Sequence, residues 1–106
     1  MDLLLGIDMG TTHIKVATFD FRGNLQTLEM ARTKTVALDA GQAMYEPNEI
    51  WETVTSLVRK TTAQLPPRSK IHSVSVASMG EAGLLLDEDG APLTPIIPWF
   101  DERSKE

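Results

Sequence analysis

Asp8, Gly10, Thr11 and Thr12 stand close together near the start of the chain, and their types suit one chemistry. Gly10 can take backbone angles that other residues avoid, and its missing side chain lets an anion reach the main chain. Thr11 and Thr12 add backbone N–H groups and hydroxyls, and successive N–H groups in a turn form a concave anion site. Asp8 would repel a bare phosphate there. A phosphate carrying Mg²⁺ removes the conflict, since that metal takes carboxylate or water oxygens together with phosphate oxygens. The set reads as a nucleotide-phosphate turn with an acidic residue that organises the metal. The competing reading is a hairpin turn in which Gly and Thr serve geometry alone.

Two strands must hold this turn. Leu3, Leu4, Leu5 and Ile7 form a nearly continuous apolar run, which predicts a first strand buried on both faces. His13 to Asp20 alternates: Ile14 and Val16 share one face, Ala17 and Phe19 the other, as strand periodicity requires. Phe21-Arg22-Gly23-Asn24 is a turn. Leu25 to Lys34 is a third strand with Leu28 and Met30 on one face, completing an antiparallel meander. Thr35 to Glu46 reads as a loop, with Met44 and Tyr45 packing on the helix that follows. That helix runs from Pro47 to about Gln64. Proline suits its first turn, and the acids Glu46, Glu49 and Glu52 lie at its positive end with Arg59 and Lys60 towards the other. Ile50, Val54, Leu57, Val58 and Leu65 follow helical spacing, with Trp51 flanking them as a packing residue.

Pro66-Pro67 ends the helix. Ile71 to Ser78 is a fourth strand. After a crossover helix it should run parallel to an earlier strand, and we pair it with the first, in a central position that its small residues suit. His72 has no acid or second histidine near it in sequence, which favours a structural or surface role. Ligands of open α/β sheets bind beyond the carboxyl ends of the strands. If the first and fourth strands are parallel neighbours, Glu81 opens onto the same cleft as Asp8. There it could accept hydrogen bonds from polyol hydroxyls, or it is a solvated loop glutamate. Leu84-Leu85-Leu86-Asp87 reads as a short strand, and Asp89-Gly90 marks a turn after it.

Composition narrows the classes. The chain has 106 residues, 42% hydrophobic and 24% charged, with a net charge of −5. That is one compact domain with a modest core. Its acidity and lack of a Lys/Arg run argue against nucleic-acid partners. With no cysteine, disulfides, thiolate metal sites and thiol nucleophiles are excluded. The N-terminus lacks a signal-peptide pattern, and no apolar stretch approaches the roughly 20 residues that span a bilayer. A soluble cytoplasmic protein without a membrane partner is the expectation.

GIDMGTTHIKVATFD resembles the first phosphate motif of the actin-like ATPase superfamily, whose members share a ribonuclease-H-like fold. The segment Ser78 to Ser104 then resembles the FGGY carbohydrate kinases. There a variable substrate loop leads into a leucine-rich strand ending in Asp, then a D-x-x-G-x-P-L turn and a W-x-D-x-R element. Here these are Asp87, Gly90, Pro92 and Leu93, then Trp99, Asp101 and Arg103. The resemblance covers almost the whole chain. It implies an α/β, ribonuclease-H-like mixed sheet: an antiparallel three-strand meander plus a parallel strand after a crossover helix, the N-terminal part only. Residues 1–106 would be the N-terminal portion of an FGGY-type sugar kinase domain.

The implied activity is phosphoryl transfer from ATP, with Mg²⁺, to a sugar or polyol hydroxyl. By this resemblance Asp8 helps organise Mg²⁺, and Gly10, Thr11 and Thr12 contact the phosphates. Lys15 stands where the family is often basic; it faces the phosphates or is a solvent-facing strand lysine. Glu81 falls where family members place a substrate-contacting side chain. Trp99 would pack on the sugar carbons, with Asp101 and Arg103 bracing the pocket wall. Glycerol kinases of the family carry Arg-Glu at the substrate loop and xylulose kinases Gln-Met-His. Met79-Gly80-Glu81 matches neither, so the sugar stays open.

The catalytic base of the family lies downstream of the residues matched here. The chain is therefore expected to be an N-terminal fragment or truncated product whose exposed surface invites self-association, a homodimer being a possible state. The alternatives are a small non-catalytic nucleotide-binding or assembly module, and a chaperone- or actin-like ATPase fragment, which leaves Trp99-Phe100-Asp101 unexplained. Phosphoryl transfer needs several groups placed at once. The 106-residue chain should thus give no turnover in an ATP-coupled assay against a sugar panel; robust turnover refutes the fragment reading.

Overall fold

The computed structural model describes residues 1–37, 43–80 and 82–97. The elements run β1 (Asp2–Met9), β2 (His13–Phe19), β3 (Leu25–Arg32), β4 (Val36–Ala37), β5 (Ala43–Met44), α1 (Pro47–Ala63) and β6 (Lys70–Ser78). They form two compact units, one of Met1–Thr33 with Glu52–Ser78, the other of Lys34–Trp51 with Met79–Glu106.

The first unit holds a four-stranded sheet in the order β3-β2-β1-β6. β1 pairs antiparallel with β2, and β2 with β3; β6 lies parallel to β1. This is the expected mixed sheet, and its fourth strand pairs with the first as expected. The β2–β3 turn is set by Asp20. Its carboxylate accepts from the Arg22 and Asn24 backbone N–H groups, each at 2.9 Å, and from the Asn24 side-chain amide at 3.0 Å. Chiefly that amide holds the Asp20 carboxyl below the usual carboxylate range. Gly23 takes a φ of 86°, which a side chain would resist.

Period-2 alternation sends Leu3, Leu5, Ile14 and Val16 to one face, where all are buried. The carboxyl-terminal part of α1 covers that face with Val54, Leu57 and Thr61. The Thr61 hydroxyl donates to the Val16 carbonyl at 3.4 Å, and just past the helix the Gln64 amide donates to Glu29 at 2.8 Å. Under the helix Thr18 and Thr27, one from each of two neighbouring strands, share a hydrogen bond of 2.6 Å between hydroxyls. The two satisfy each other where water is absent.

Several expectations are corrected. β1 is buried on one face only, for Leu4 on the other face is 36% exposed. α1 shields a single side of the sheet, so an apolar run does not guarantee two covered faces. Among the described residues β6 stands at the edge of the sheet rather than in a central position, and nearly all its residues are exposed. Trp51 is 68% exposed.

In the second unit the expected loop contains a ladder. β4 and β5 pair antiparallel, Val36 opposite Met44 and Ala37 opposite Ala43. The buried Tyr45 exchanges both backbone hydrogen bonds with Ile96, each at 2.8 Å. The short strand expected at Leu84–Asp87 is instead two isolated bridges, Gly83 with Ile97 and Leu86 with Pro92. The Asp-Gly turn is present: the Asp87 carboxylate accepts from the backbone N–H groups of Asp89 and Ala91 at 2.9 Å, and Gly90 has a φ of 82°. Among the described residues no helix is long and apolar enough to cross a membrane.

Replacing Thr18 by Val strands the Thr27 hydroxyl in the core and should cost about 1–3 kcal/mol of unfolding free energy. Replacing both residues by Val should recover most of that loss. Chemical denaturation of the two single variants and the double variant measures it, and additive losses would refute the coupling.

Candidate functional site

β1 ends at Met9 and β2 begins at His13, so Gly10, Thr11 and Thr12 lie on the turn between them, with Asp8 in β1 and Lys15 in β2. The Gly10 N–H donates to the His13 carbonyl at 3.0 Å and closes the turn. A Cβ on Gly10 would stand 2.8 Å from that carbonyl oxygen, closer than any real Cβ contact. Glycine is thus required by close approach. The same bond occupies the Gly10 N–H within the turn.

Sequence reasoning missed the residue that fixes this turn. Thr33, buried just past the end of β3, donates its hydroxyl to the Gly10 carbonyl at 2.8 Å. Its own N–H donates to the Thr12 carbonyl, also at 2.8 Å. One residue just past the third strand thereby holds both ends of the Gly10–Thr12 segment. A threonine after a strand is too common to carry a signal by itself.

Asp8 and Lys15 sit directly opposite each other across the β1–β2 ladder, so they share a face. It is the face away from α1, and both side chains are exposed on it. They line one end of an open hollow of about 520 Å³. Its floor is made of small residues, Gly6, Ala17, Ser75 and Ala77, and its walls include Phe19 and Leu28. Among the described residues no ion pair joins Lys15 to Asp8, and both charges face solvent. Met9 stands beside Ser78, so the parallel strands β1 and β6 end side by side at the site's end of the sheet.

The one ion pair among the described residues lies at the other end of β1. His72 Nε2 and Asp2 Oδ1 are 2.8 Å apart, and the Phe21 ring meets the imidazole edge-on at 5.2 Å. The hydrogen bond from His72 lowers the Asp2 pKa. His72 thus has a structural role, with an acid seventy residues away in sequence.

Asp8, Gly10, Thr11, Thr12 and Lys15 are brought together by these two strands and their turn. Glu81, Trp99, Asp101 and Arg103 lie outside the described residues. Among the described residues no three carboxylate, imidazole or thiolate side chains converge on a point where a metal could be caged. One exposed carboxylate beside hydroxyl-bearing residues fits Mg²⁺, which keeps waters and phosphate oxygens as most of its ligands.

Gly10→Ala should force the β1–β2 turn to shift and destabilise the chain by about 1–3 kcal/mol, as overpacking does. The thermal midpoint would fall by several degrees, while Gly80→Ala, where a Cβ meets nothing within 4 Å, serves as the control. Equal midpoints for the two variants would refute the close-approach account.

Comparison with known proteins bears on what the site is for. Residues 3–106 match the model of the FGGY family of carbohydrate kinases, N-terminal domain. The chain is 32% identical over 109 residues to a probable L-xylulose kinase of Haemophilus influenzae, covering 100% of the chain and 22% of that protein. It is 33% identical over 102 residues to a gluconokinase of Bacillus subtilis, covering 96% of the chain and 20% of that protein. The fold matches ligand-bound xylulose kinase from Lactobacillus acidophilus with a TM-score of 0.88 at 25% identity, over 96% of the chain and 20% of that structure. The chain therefore spans about a fifth of the length of the relatives it matches.

Proposed function

Because this chain belongs to the FGGY family of carbohydrate kinases, we propose that the whole protein transfers a phosphoryl group from ATP to a hydroxyl of a sugar or polyol. This chain supplies the first phosphate-binding hairpin and part of the sugar pocket. The observation that carries the reading is the Gly10–Thr12 turn, pinned by Thr33 and set beside an exposed carboxylate at the carboxyl end of a parallel strand. Ligands of open α/β sheets bind at such ends.

Asp8 would orient the hydrated Mg²⁺ through its carboxylate. When bound, that ion neutralises phosphate charge as it develops. Thr11 and Thr12 would donate hydrogen bonds to phosphate oxygens, with Gly10 keeping the turn narrow enough for them to approach. Lys15, on the same face as Asp8, adds positive charge beside the phosphates. The pinned turn matters because donors already in place cost no reorganisation when charge moves. On the substrate side, Glu81 accepts hydrogen bonds from hydroxyls, Trp99 packs against the carbons, and Asp101 and Arg103 brace the wall. The base that takes the substrate proton comes from outside this chain. The names of the relatives span xylulose and gluconate, so the substrate class is a polyhydroxylated chain of several carbons.

In the whole protein, Asp8→Asn should lower kcat on the order of 10–100-fold, the range typical of losing a residue that orients a metal and its ligands. KM for the sugar should stay nearly constant, since the acceptor site is untouched. Steady-state kinetics with Mg·ATP and a sugar panel tests this. An unchanged kcat would remove Asp8 from the phosphate site.

A further inference from the structure

Basic residues continue past Lys15 onto β3 beside the β1–β2 turn. His13, the first residue of β2, stands directly opposite Arg32, the last of β3. Period-2 alternation puts His13 on the face of Lys15, with the buried Ile14 between them on the other face. Arg32 shares that face, because residues directly opposite in an antiparallel pair point the same way. Lys15 is itself opposite Met30, two residues before Arg32, so Lys15 and Arg32 are diagonal neighbours. Such neighbours lie about 7–8 Å apart, within reach of long side chains. Asp8, opposite Lys15, completes the group.

The other acids of the three-strand meander lie elsewhere. Asp2 meets His72 at the far end of β1, and Asp20 closes the β2–β3 turn. Glu29, opposite the buried Val16, is on the α1 side, where it accepts from Gln64. In a chain of net charge −5, the meander thus sets His13, Lys15 and Arg32 against the single carboxylate of Asp8 at this place. Same-sign neighbours on one face weaken strand pairing, and an anion bound among them removes that cost. The backbone of Arg32 is also tied to the turn. Its neighbour Thr33 holds the Gly10 and Thr12 carbonyls, each at 2.8 Å.

Resting on the phosphate site of the proposed function, we propose that Arg32 and His13 bind the phosphate tail of the nucleotide together with Lys15. The site then spans β2 and β3 as well as the turn. The Arg32 guanidinium takes phosphate oxygens through two parallel N–H groups, a geometry that an ammonium lacks. The His13 ring adds an N–H donor where β2 leaves the turn. The strand order divides the work. Asp8 on β1 serves the hydrated metal, and the cations lie on its β3 side, away from β6.

In the whole protein, Arg32→Gln should raise KM for Mg·ATP about tenfold, the order of losing one charge-assisted hydrogen bond, and His13→Gln about threefold. Arg32→Lys, which keeps the charge but not the fork, should fall between Arg32→Gln and the unmodified protein. KM for the sugar should stay constant in all three variants, and the calorimetric Kd of Mg·ADP should rise in parallel with KM for Mg·ATP. A merely structural role would lower the thermal midpoint of the unliganded protein and would not split the two KM values in this way. An unchanged KM for Mg·ATP in Arg32→Gln or in His13→Gln overturns the proposal. If Asp8→Asn still lowers kcat in that case, the phosphate site stands and only its extension to β3 falls. If Asp8→Asn is silent too, the phosphate site falls with it. A weakening confined to inhibition by the phosphorylated sugar would place Arg32 at the phosphate of the product and also overturn the assignment to the nucleotide.

Discussion

The parallel pairing of β1 with β6 is the constraint on which the rest of the first unit depends. Hairpin turns suffice to lay β2 beside β1 and β3 beside β2, but a parallel neighbour needs a long crossover. α1 supplies that length. It returns the chain to the start of the sheet, where Lys70 N–H donates to the Met1 carbonyl at 2.8 Å and β6 sets off alongside β1. The crossover must lie on one face, and the burial of Leu3, Leu5, Ile14 and Val16 there is its consequence. The site then falls where β1 and β6 end together, beside Met9 and Ser78.

One-sided covering leaves polar groups to be reconciled on the buried side, and threonine does this repeatedly. Thr18 and Thr27 satisfy each other, Thr61 reaches the Val16 carbonyl, and Thr33 reaches Gly10. Among the described residues no buried side-chain nitrogen or oxygen lacks a partner. A hydroxyl on a β-branched residue suits this position well. The branch favours strand geometry, and the oxygen bridges to a neighbour without a long, entropically costly side chain. The same economy fixes the β1–β2 turn: its shape is held by Thr33, just past the end of β3, through the Gly10 and Thr12 carbonyls.

Much of this was legible in the sequence because the signals were local. Gly10 between an apolar run and an alternating run, Gly23-Asn24, Asp89-Gly90 and the Pro47 helix start each depend on residues within one turn of chain. The pairing of the first and fourth strands followed from topology. What was missed depends on distant partners or on weak local preference. Asp2 finds His72 across the sheet, and Thr33 finds Gly10 from another strand. β4 and β5 have two residues each, too few for a periodicity to register. The exposure of Leu4 and of β6 reflects which faces α1 covers, and composition says nothing of that. For the candidate site, the turn between the first two strands was readable from residue types and spacing, but not the fact that the Gly10 N–H is spent within it.

The central claim is that the β1–β2 turn receives a metal-bound phosphate tail. Amide chemical-shift mapping of the ¹⁵N-labelled chain, titrated with Mg·ADP, tests it most directly. The account predicts shifts concentrated on the amides from Asp8 to Lys15 and on Thr33, and reduced when Mg²⁺ is removed by chelation. Shifts confined to other parts of the chain, or a response at these amides that is indifferent to Mg²⁺, would contradict it.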